Sequence, residues 1–250
     1  MPYTFPSVSA LPVKRSDTKS KDAKLVQELV SLAGFALKPD GLYGLATETA
    51  VKALQANAAL PQTGIVDQAT LDALIAPFTR ATAPQPVNGR TLPQLMAAYA
   101  TQHLNEHPRE YGGQNSGPWV RLYMDGHEGA EWAWCAGFAC SVLKQACDTL
   151  GVAMPIKKNY GCDELAASAK QANRFLPEKQ AVNRKNELPG SFFLARKNPT
   201  DWTHVGIVAA SEPGLMRTVE GNTNDSGDFE GYEVCARFRG YLKMDFILLG

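Results

Sequence analysis

The chain has 250 residues, of which 44% are hydrophobic and 20% are charged, a balance typical of a globular protein with one or two domains. Its 25 basic and 25 acidic residues cancel, so the overall charge gives no reason to expect a nucleic-acid partner. No apolar stretch approaches the roughly 18 residues of a membrane span. The first residues lack the basic and apolar regions of a signal peptide, and we therefore expect synthesis in the cytoplasm and a separate route to any site outside it.

The first part of the chain predicts a small helical domain. Residues 1–21 are polar and contain prolines without periodicity, which indicates a flexible lead. Apolar residues at helical spacing then predict three helices between residues 22 and 78, around Leu25–Leu32, Ala50–Leu54 and Leu71–Ile75. Asp67 is the expected N-cap of the third helix.

An internal repeat lies between these helices. The segment Gly41–Thr47 is similar to Gly64–Thr70 at a 23-residue offset, and each copy leads into a helix through a glycine turn. The two turns and the three helices resemble the peptidoglycan-binding domain type 1 family over roughly residues 22–77. The resemblance implies a module that docks on the bacterial cell-wall polymer. The alternative is a three-helix bundle without a ligand.

Residues 79–91 carry two prolines and no apolar period, which predicts a linker, so the second domain is expected over residues 92–250. A helix is predicted from Leu92 to His107. It ends in His103-Leu-Asn-Glu106-His107, which matches an inverted zinc-peptidase pattern. Because Pro108 follows at once, His107 falls on the last turn, and we favour surface histidines over a zinc site.

Five cysteines occur, and their odd number and the absence of a short CxxC spacing argue against a disulfide framework or a zinc site. Most are interpreted as small buried residues. Cys135 differs, because it begins a helical pattern that extends to about Leu150. A thiol on the first turn of a helix is favoured as thiolate, the nucleophilic form, particularly beside an imidazole.

After Pro189 the hydrophobic period changes to two, which predicts consecutive strands and hence an antiparallel sheet. The predicted strands are Phe192–Leu194, Val205–Val208, Arg217–Glu220, Val234–Phe238 and Phe246–Leu249, joined by turns such as Glu212–Gly214 and Asp225–Gly227. His204 directly precedes the second of these strands. On neighbouring strands, His204 and Glu220 could face the same side, with Asn222 just past the strand end.

The blocks around Asn115, Trp134-Cys135, Leu188–Phe193, His204 and Glu220-Gly-Asn222 resemble, in this order, the CHAP family of cysteine, histidine-dependent amidohydrolases/peptidases. The resemblance covers roughly residues 92–250 and implies a papain-like α+β fold that hydrolyses amide bonds in peptidoglycan. Cys135 would be the nucleophile and His204 the general base. Glu220 would orient the imidazole with Asn222 as a polar helper, although either could be the third member. Candidate substrate-binding residues are Asn115, Trp134 and Trp202.

Some members of that family bind calcium just before the nucleophile, where Asp125, Glu128 and Glu131 stand here. We favour a solvated acidic loop and expect no cofactor. The predicted function is a monomeric wall hydrolase, either an N-acetylmuramoyl-L-alanine amidase or an endopeptidase, with peptidoglycan as its partner. A phage endolysin is the favoured context. The alternatives are a wall-degrading toxin exported by a secretion system and a non-catalytic wall-binding protein.

Overall fold

The computed structural model describes residues 5–181, 183–224 and 231–250. The helices, in chain order, are α1 (Lys21–Leu32), α2 (Leu45–Asn57), α3 (Gln68–Thr82), α4 (Leu92–Leu104), α5 (Pro118–Tyr123), α6 (Cys135–Leu150), α7 (Cys162–Gln171) and α8 (Glu178–Ala181). The strands are β1 (Phe175–Leu176), β2 (Phe192–Asn198), β3 (Asp201–Glu212), β4 (Leu215–Thr223), β5 (Glu233–Arg239) and β6 (Met244–Ile247). The chain therefore combines helices with an antiparallel sheet, as the sequence predicts. The predicted turn at Asp225–Gly227 lies outside the described residues.

The chain divides into two compact units, one formed by the residues up to Arg80 with Arg109–Ala130, the other by Ala81–Pro108 with Glu131–Gly250. This division differs from the single linker at 79–91 that we expected. α3 extends through Thr82 into that linker, and the segment 109–130 groups with the first unit rather than with the second.

Two buried glutamines organise the repeat in the first unit. Gln27 on α1 accepts from the backbone N–H of Gly41 at 2.8 Å and donates to Thr47 at 3.2 Å. Gln55 on α2 accepts from the N–H of Gly64 at 2.9 Å and donates to Thr70 at 3.0 Å. Each glutamine side chain thus bonds to the glycine N–H of one turn and to the hydroxyl of the threonine that follows it. The sequence repeat is therefore also a repeat of hydrogen bonds.

Part of the N-terminal segment is fixed on this unit, in contrast to the flexible lead expected over residues 1–21. Val13 forms an antiparallel bridge with Val66, with N···O distances of 3.0 and 2.8 Å. Ser20 caps α1 by accepting from the N–H of Ala23 at 3.0 Å. Asp67 caps α3 by accepting from the N–H of Thr70 at 2.9 Å, which confirms that prediction.

Residues 109–130 complete the core of the first unit. The Trp119 ring stacks on Phe78 of α3 with centroids 3.9 Å apart, and Arg121 donates to Glu28 of α1 at 2.5 Å. Glu28 is almost fully buried, so the ion pair is shielded from solvent on the carboxylate side. We expected this segment in the second domain, because its apolar pattern does not distinguish between the two hydrophobic cores.

The second unit contains a six-stranded antiparallel sheet in the order β1-β6-β2-β3-β4-β5. The five predicted strands are all present, and β1 is an additional short strand at one edge. α6 packs on β3 and β4, while α7 packs on β3. No helix among the described residues is long and apolar enough to cross a bilayer.

A glycine allows α6 to approach the sheet closely. A Cβ on Gly221 of β4 would lie 2.7 Å from Cβ of Phe138 and 2.9 Å from the Trp134 ring. A larger residue would push the helix away, and the first residue of that helix is Cys135. The glycine between Glu220 and Asn222 therefore controls the distance between the helix start and the strands.

Candidate active site

Cys135 lies at the first position of α6, as the sequence predicts, and its residue is only 5% exposed. Its sulfur lies 4.0 Å from that of Cys162, and the His204 side chain and the backbone N–H of Val205 also interact with it. The β3–β4 ladder runs from Ile207↔Val219 to Glu212↔Leu215, so Val205 lies beyond the paired region on that side. The thiol therefore meets β3 beyond the end of the β3–β4 ladder.

His204 and Glu220 are brought together inside the second unit, and both are fully buried. Nε2 of His204 lies 2.9 Å from Oε2 of Glu220, so this is the ring nitrogen that faces the carboxylate. Gly206 makes room for this pair. A Cβ there would lie 2.7 Å from Cγ of Glu220 and 2.6 Å from the Phe193 ring.

Arg239 of β5 and Thr218 hold the Glu220 carboxylate from the other side. Arg239 donates from Nε at 2.6 Å and from Nη2 at 2.5 Å, and the Thr218 hydroxyl donates at 2.5 Å. Such a two-pronged guanidinium contact fixes a carboxylate in direction as well as in charge. Glu220 is thus bound to a cation on one side and to the imidazole on the other.

The electrostatics favour a thiolate–imidazolium pair. The hydrogen bond from Cys162, together with His204, holds the pKa of Cys135 well below its usual value although burial opposes this. Burial acts to lower the pKa of His204, but the bonds with Cys135 and Glu220 outweigh it and raise the pKa to about 9. Burial likewise acts against ionisation of Glu220, yet Arg239 and His204 lower its pKa to about 2. Signs then alternate from thiolate to imidazolium, carboxylate and guanidinium, so neighbouring charges compensate one another.

Backbone donors also stand at the helix start. The first intrahelical bond of α6 runs from the N–H of Phe138 to the carbonyl of Trp134 at 2.9 Å. The N–H groups of Cys135, Ala136 and Gly137 precede it. Groups at this position of a helix carry the positive end of its dipole and suit a developing oxyanion.

Asn222 does not bond to the imidazole through its side-chain oxygen. It is buried near the end of β4 in a left-handed conformation with φ +56°, which asparagine tolerates better than most residues. Its side-chain oxygen has no hydrogen-bond partner among the described residues. Of the two candidates for the third member, Glu220 is the residue that touches His204.

The three candidate substrate-binding residues are engaged in the structure of the protein itself. Asn115 belongs to the first unit, where Nδ2 donates to the carbonyl of Ala130 at 3.0 Å. The Trp134 ring is fully buried and packs on β4 at Gly221. Trp202 is nearly buried and donates from Nε1 to Asp245 at 2.9 Å. Both indoles are thus held largely within the protein, and direct contact of either ring with substrate stays a prediction.

The weak calcium candidates do not form a cluster. Glu128 is bound to Arg121 at 2.7 Å and to the N–H of Gly117 at 2.9 Å. Among the described residues, no group of three or more His, Cys, Asp or Glu side chains is arranged to hold a metal ion.

The zinc-like histidine pair is also separated by the fold. α4 ends at Leu104 rather than at His107, which has φ +50° and lies outside the helix. His103 is buried, whereas we expected it on the surface, and Nε2 lies 2.6 Å from Oε1 of Gln145. Burial lowers the pKa of His103 to about 4, so this ring is a neutral packing residue between α4 and α6.

Two residues of the site were missed by the sequence reasoning. Cys162 was interpreted as packing, yet its sulfur lies 4.0 Å from that of Cys135. Arg239 gave no signal, because its contact with Glu220 depends on the register of β4 and β5. The sequence did contain a signal for the position of Cys162. Acidic residues favour the first turn of a helix, so Asp163-Glu164 indicates that a helix begins at Cys162, as one does at Cys135.

Comparison with known proteins adds one finding. Residues 19–74 match the peptidoglycan-binding domain family PG_binding_1. This confirms the resemblance seen in the repeat and indicates an association with the cell wall, with peptidoglycan as a partner. No characterised protein and no solved structure matches the chain.

Proposed function

We propose that the chain is a peptidoglycan hydrolase that cleaves an amide bond through the thiolate of Cys135. The observation that carries the proposal is the buried series of contacts from Cys135 through His204 to Glu220, in a chain whose residues 19–74 match a peptidoglycan-binding family. A buried histidine fixed between a thiol and an ionised carboxylate is the arrangement that nucleophilic cysteine catalysis requires. The order of sequence blocks that resembles the CHAP family supports the same proposal.

In the proposed reaction the Cys135 thiolate attacks the amide carbonyl, and the N–H groups at the start of α6 stabilise the negative oxygen. The His204 imidazolium then donates its proton to the leaving amine, which departs as the C–N bond breaks. Water, deprotonated by the neutral imidazole, releases the acyl group from sulfur. Glu220 keeps the ring oriented and stabilises its charged form, a positioning role that Arg239 supports by keeping the carboxylate ionised.

The products of digestion test this proposal and identify the bond. Purified peptidoglycan is incubated with the wild-type chain, with Cys135→Ala and with Cys147→Ala, and the soluble fragments are analysed by mass spectrometry. Cys147 is a matched control, since it is a buried cysteine of the same helix. We expect fragments from the wild type and Cys147→Ala only. Free lactyl carboxylates on muramic acid identify an amidase, and new amines within peptides identify an endopeptidase.

Equal release of fragments by Cys135→Ala would contradict the thiol mechanism. The absence of fragments from every variant, together with sedimentation of the chain with insoluble peptidoglycan, would favour a non-catalytic wall-binding protein. For the biological context we propose lysis of bacteria, as by a phage endolysin. A fall in the turbidity of permeabilised cells that depends on Cys135 tests it.

A further inference from the structure

We propose that Cys135 and Cys162 form a redox-sensitive dithiol, in which an oxidant of the peroxide class joins the two sulfurs as a disulfide and switches the site off. The starting observation is their contact, with the two Sγ atoms 4.0 Å apart. This inference rests on the proposed function, because inactivation follows only if the Cys135 thiolate performs the reaction.

The positions of the two thiols are equivalent in their helices. Cys135 is the first residue of α6, and Cys162 is the first residue of α7. Both α-helices are at least ten residues long and direct the positive ends of their dipoles toward the sulfur pair. A disulfide needs its sulfurs about 2 Å apart, so the pair must close by roughly 2 Å, within reach of side-chain rotation and a small shift of one helix start.

The loop before α7 fixes Cys162 next to the nucleophile. The Asn159 side chain accepts from the N–H groups of Tyr160 at 2.7 Å and of Gly161 at 3.1 Å. Asp163, the residue after Cys162, accepts from the N–H of Trp202 at 2.8 Å, two residues before His204 on β3. The first two bonds order the loop ahead of Cys162, and the third ties the residue after it to the strand that carries the imidazole.

The two thiols differ in the way that a nucleophilic and a resolving cysteine should. The pKa of Cys135 is lowered, whereas the hydrogen bond to Cys135, with burial, raises the pKa of Cys162. The thiolate of Cys135 is therefore the sulfur that meets an oxidant first. Once its negative charge is lost, the main cause that raises the pKa of Cys162 is lost too, and Cys162 releases its proton more readily.

With hydrogen peroxide the step balances. The Cys135 thiolate attacks one oxygen of the peroxide, the O–O bond breaks to give a sulfenic acid, and the departing hydroxide takes the proton of the His204 imidazolium to become water. Cys162 then loses its proton and attacks the sulfur of the sulfenic acid, the S–O bond breaks, and the departing hydroxide becomes water. The two thiols lose two electrons in total, and one peroxide becomes two waters. A dithiol reductant reverses the reaction by thiol–disulfide exchange.

The experiment uses the full chain, reduced with dithiothreitol, freed of reductant and treated with hydrogen peroxide. The remaining thiols are then labelled with N-ethylmaleimide under denaturing conditions and counted by mass spectrometry. Since the chain has five cysteines, the reduced protein takes five labels, and the oxidised protein should take three. Peptide mapping should locate the cross-link between residues 135 and 162. Peptidoglycan hydrolysis should fall by more than about tenfold, because the nucleophile is consumed, and should return with dithiothreitol.

Two variants separate the switch from general oxidation, each compared with its own untreated activity. Cys162→Ser has no resolving sulfur, so we expect no cross-link and a loss that dithiothreitol does not reverse, because Cys135 proceeds to sulfinic acid. Cys147→Ser is the matched control and should behave like the wild type.

Three results would overturn the inference: five labels on the peroxide-treated wild type, a cross-link between another pair of cysteines, or reversible inactivation of Cys162→Ser. The proposed function can fail separately. A 135–162 cross-link in a chain that does not cleave peptidoglycan when reduced would leave the dithiol in place and contradict the hydrolase.

Discussion

Replacing Glu220 by glutamine removes the negative charge behind the imidazole while it keeps the shape of the side chain. In the native protein this carboxylate is 2.9 Å from His204 and receives bonds from Arg239 at 2.6 and 2.5 Å. A hydrogen bond to a charged group contributes about 1.5–3 kcal/mol, so kcat/KM should fall roughly 10- to 100-fold. Loss of the buried pair with Arg239 should also lower the free energy of unfolding by about 3–5 kcal/mol.

The pH dependence of the Glu220→Gln variant tests the role of the carboxylate more specifically than the fall in kcat/KM does. Glu220 helps to raise the pKa of His204 from 6.5 to about 9. The proposed reaction needs the imidazolium, so activity is lost as the pH rises through the pKa of His204. Without the carboxylate that pKa falls, and the alkaline side of the pH profile should move to lower pH.

The assay is the initial rate of fragment release from peptidoglycan between about pH 5 and pH 10, at a temperature where urea titration shows both proteins folded. Glu212→Gln is the matched control, because Glu212 is exposed and its ion pair with Arg217 contributes at most about 1 kcal/mol. An unchanged alkaline limb with kcat/KM within about twofold of the control would refute the role of Glu220.

Three further predictions concern stability and are measured by urea denaturation. Gly221→Ala places a Cβ 2.7 Å from Phe138 and should cost about 1–3 kcal/mol, whereas an unchanged midpoint would show that α6 adapts freely. His103 is neutral in the folded protein with a pKa of about 4, below the 6.5 of the unfolded chain, so its contribution is present above pH 6.5 and is lost as the pH falls toward 4. Over this range the wild type should lose about 3 kcal/mol more than His103→Gln, and parallel curves would contradict this. Gln55→Leu leaves the N–H of Gly64 without its acceptor and should lower the free energy of unfolding by about 1–3 kcal/mol. A loss no larger than that caused by replacing an exposed glutamine with leucine would contradict this.

The sequence was most informative where one period dominates a segment. The apolar stripe beginning at Cys135 predicted the limits of α6, and the alternation after Pro189 predicted β2 to β6 as an antiparallel sheet. In these segments the burial of one face decides the structure, and that face can be recognised locally.

Contacts that depend on register or on tertiary packing could not be predicted in this way. Arg239 reaches Glu220 across the β4–β5 pair, and the alignment of these strands does not follow from their hydrophobic pattern. Trp119 belongs to an apolar segment that could have joined either core, and only the structure shows it on Phe78. Cys162 lies 27 residues from Cys135, and their proximity results from the way α6 and α7 both pack on β3.

The central claim, that the Cys135 thiolate performs the reaction, is tested most directly by alkylation with iodoacetamide near pH 6.5, a pH at which an ordinary thiol with a pKa of about 8.5 is almost unreactive. The modified cysteine is located by peptide mass spectrometry, and the residual hydrolysis of peptidoglycan is measured on the same samples. We predict that Cys135 is labelled first and that the fraction labelled equals the fraction of activity lost. Full activity in a chain whose Cys135 is completely alkylated would contradict the account.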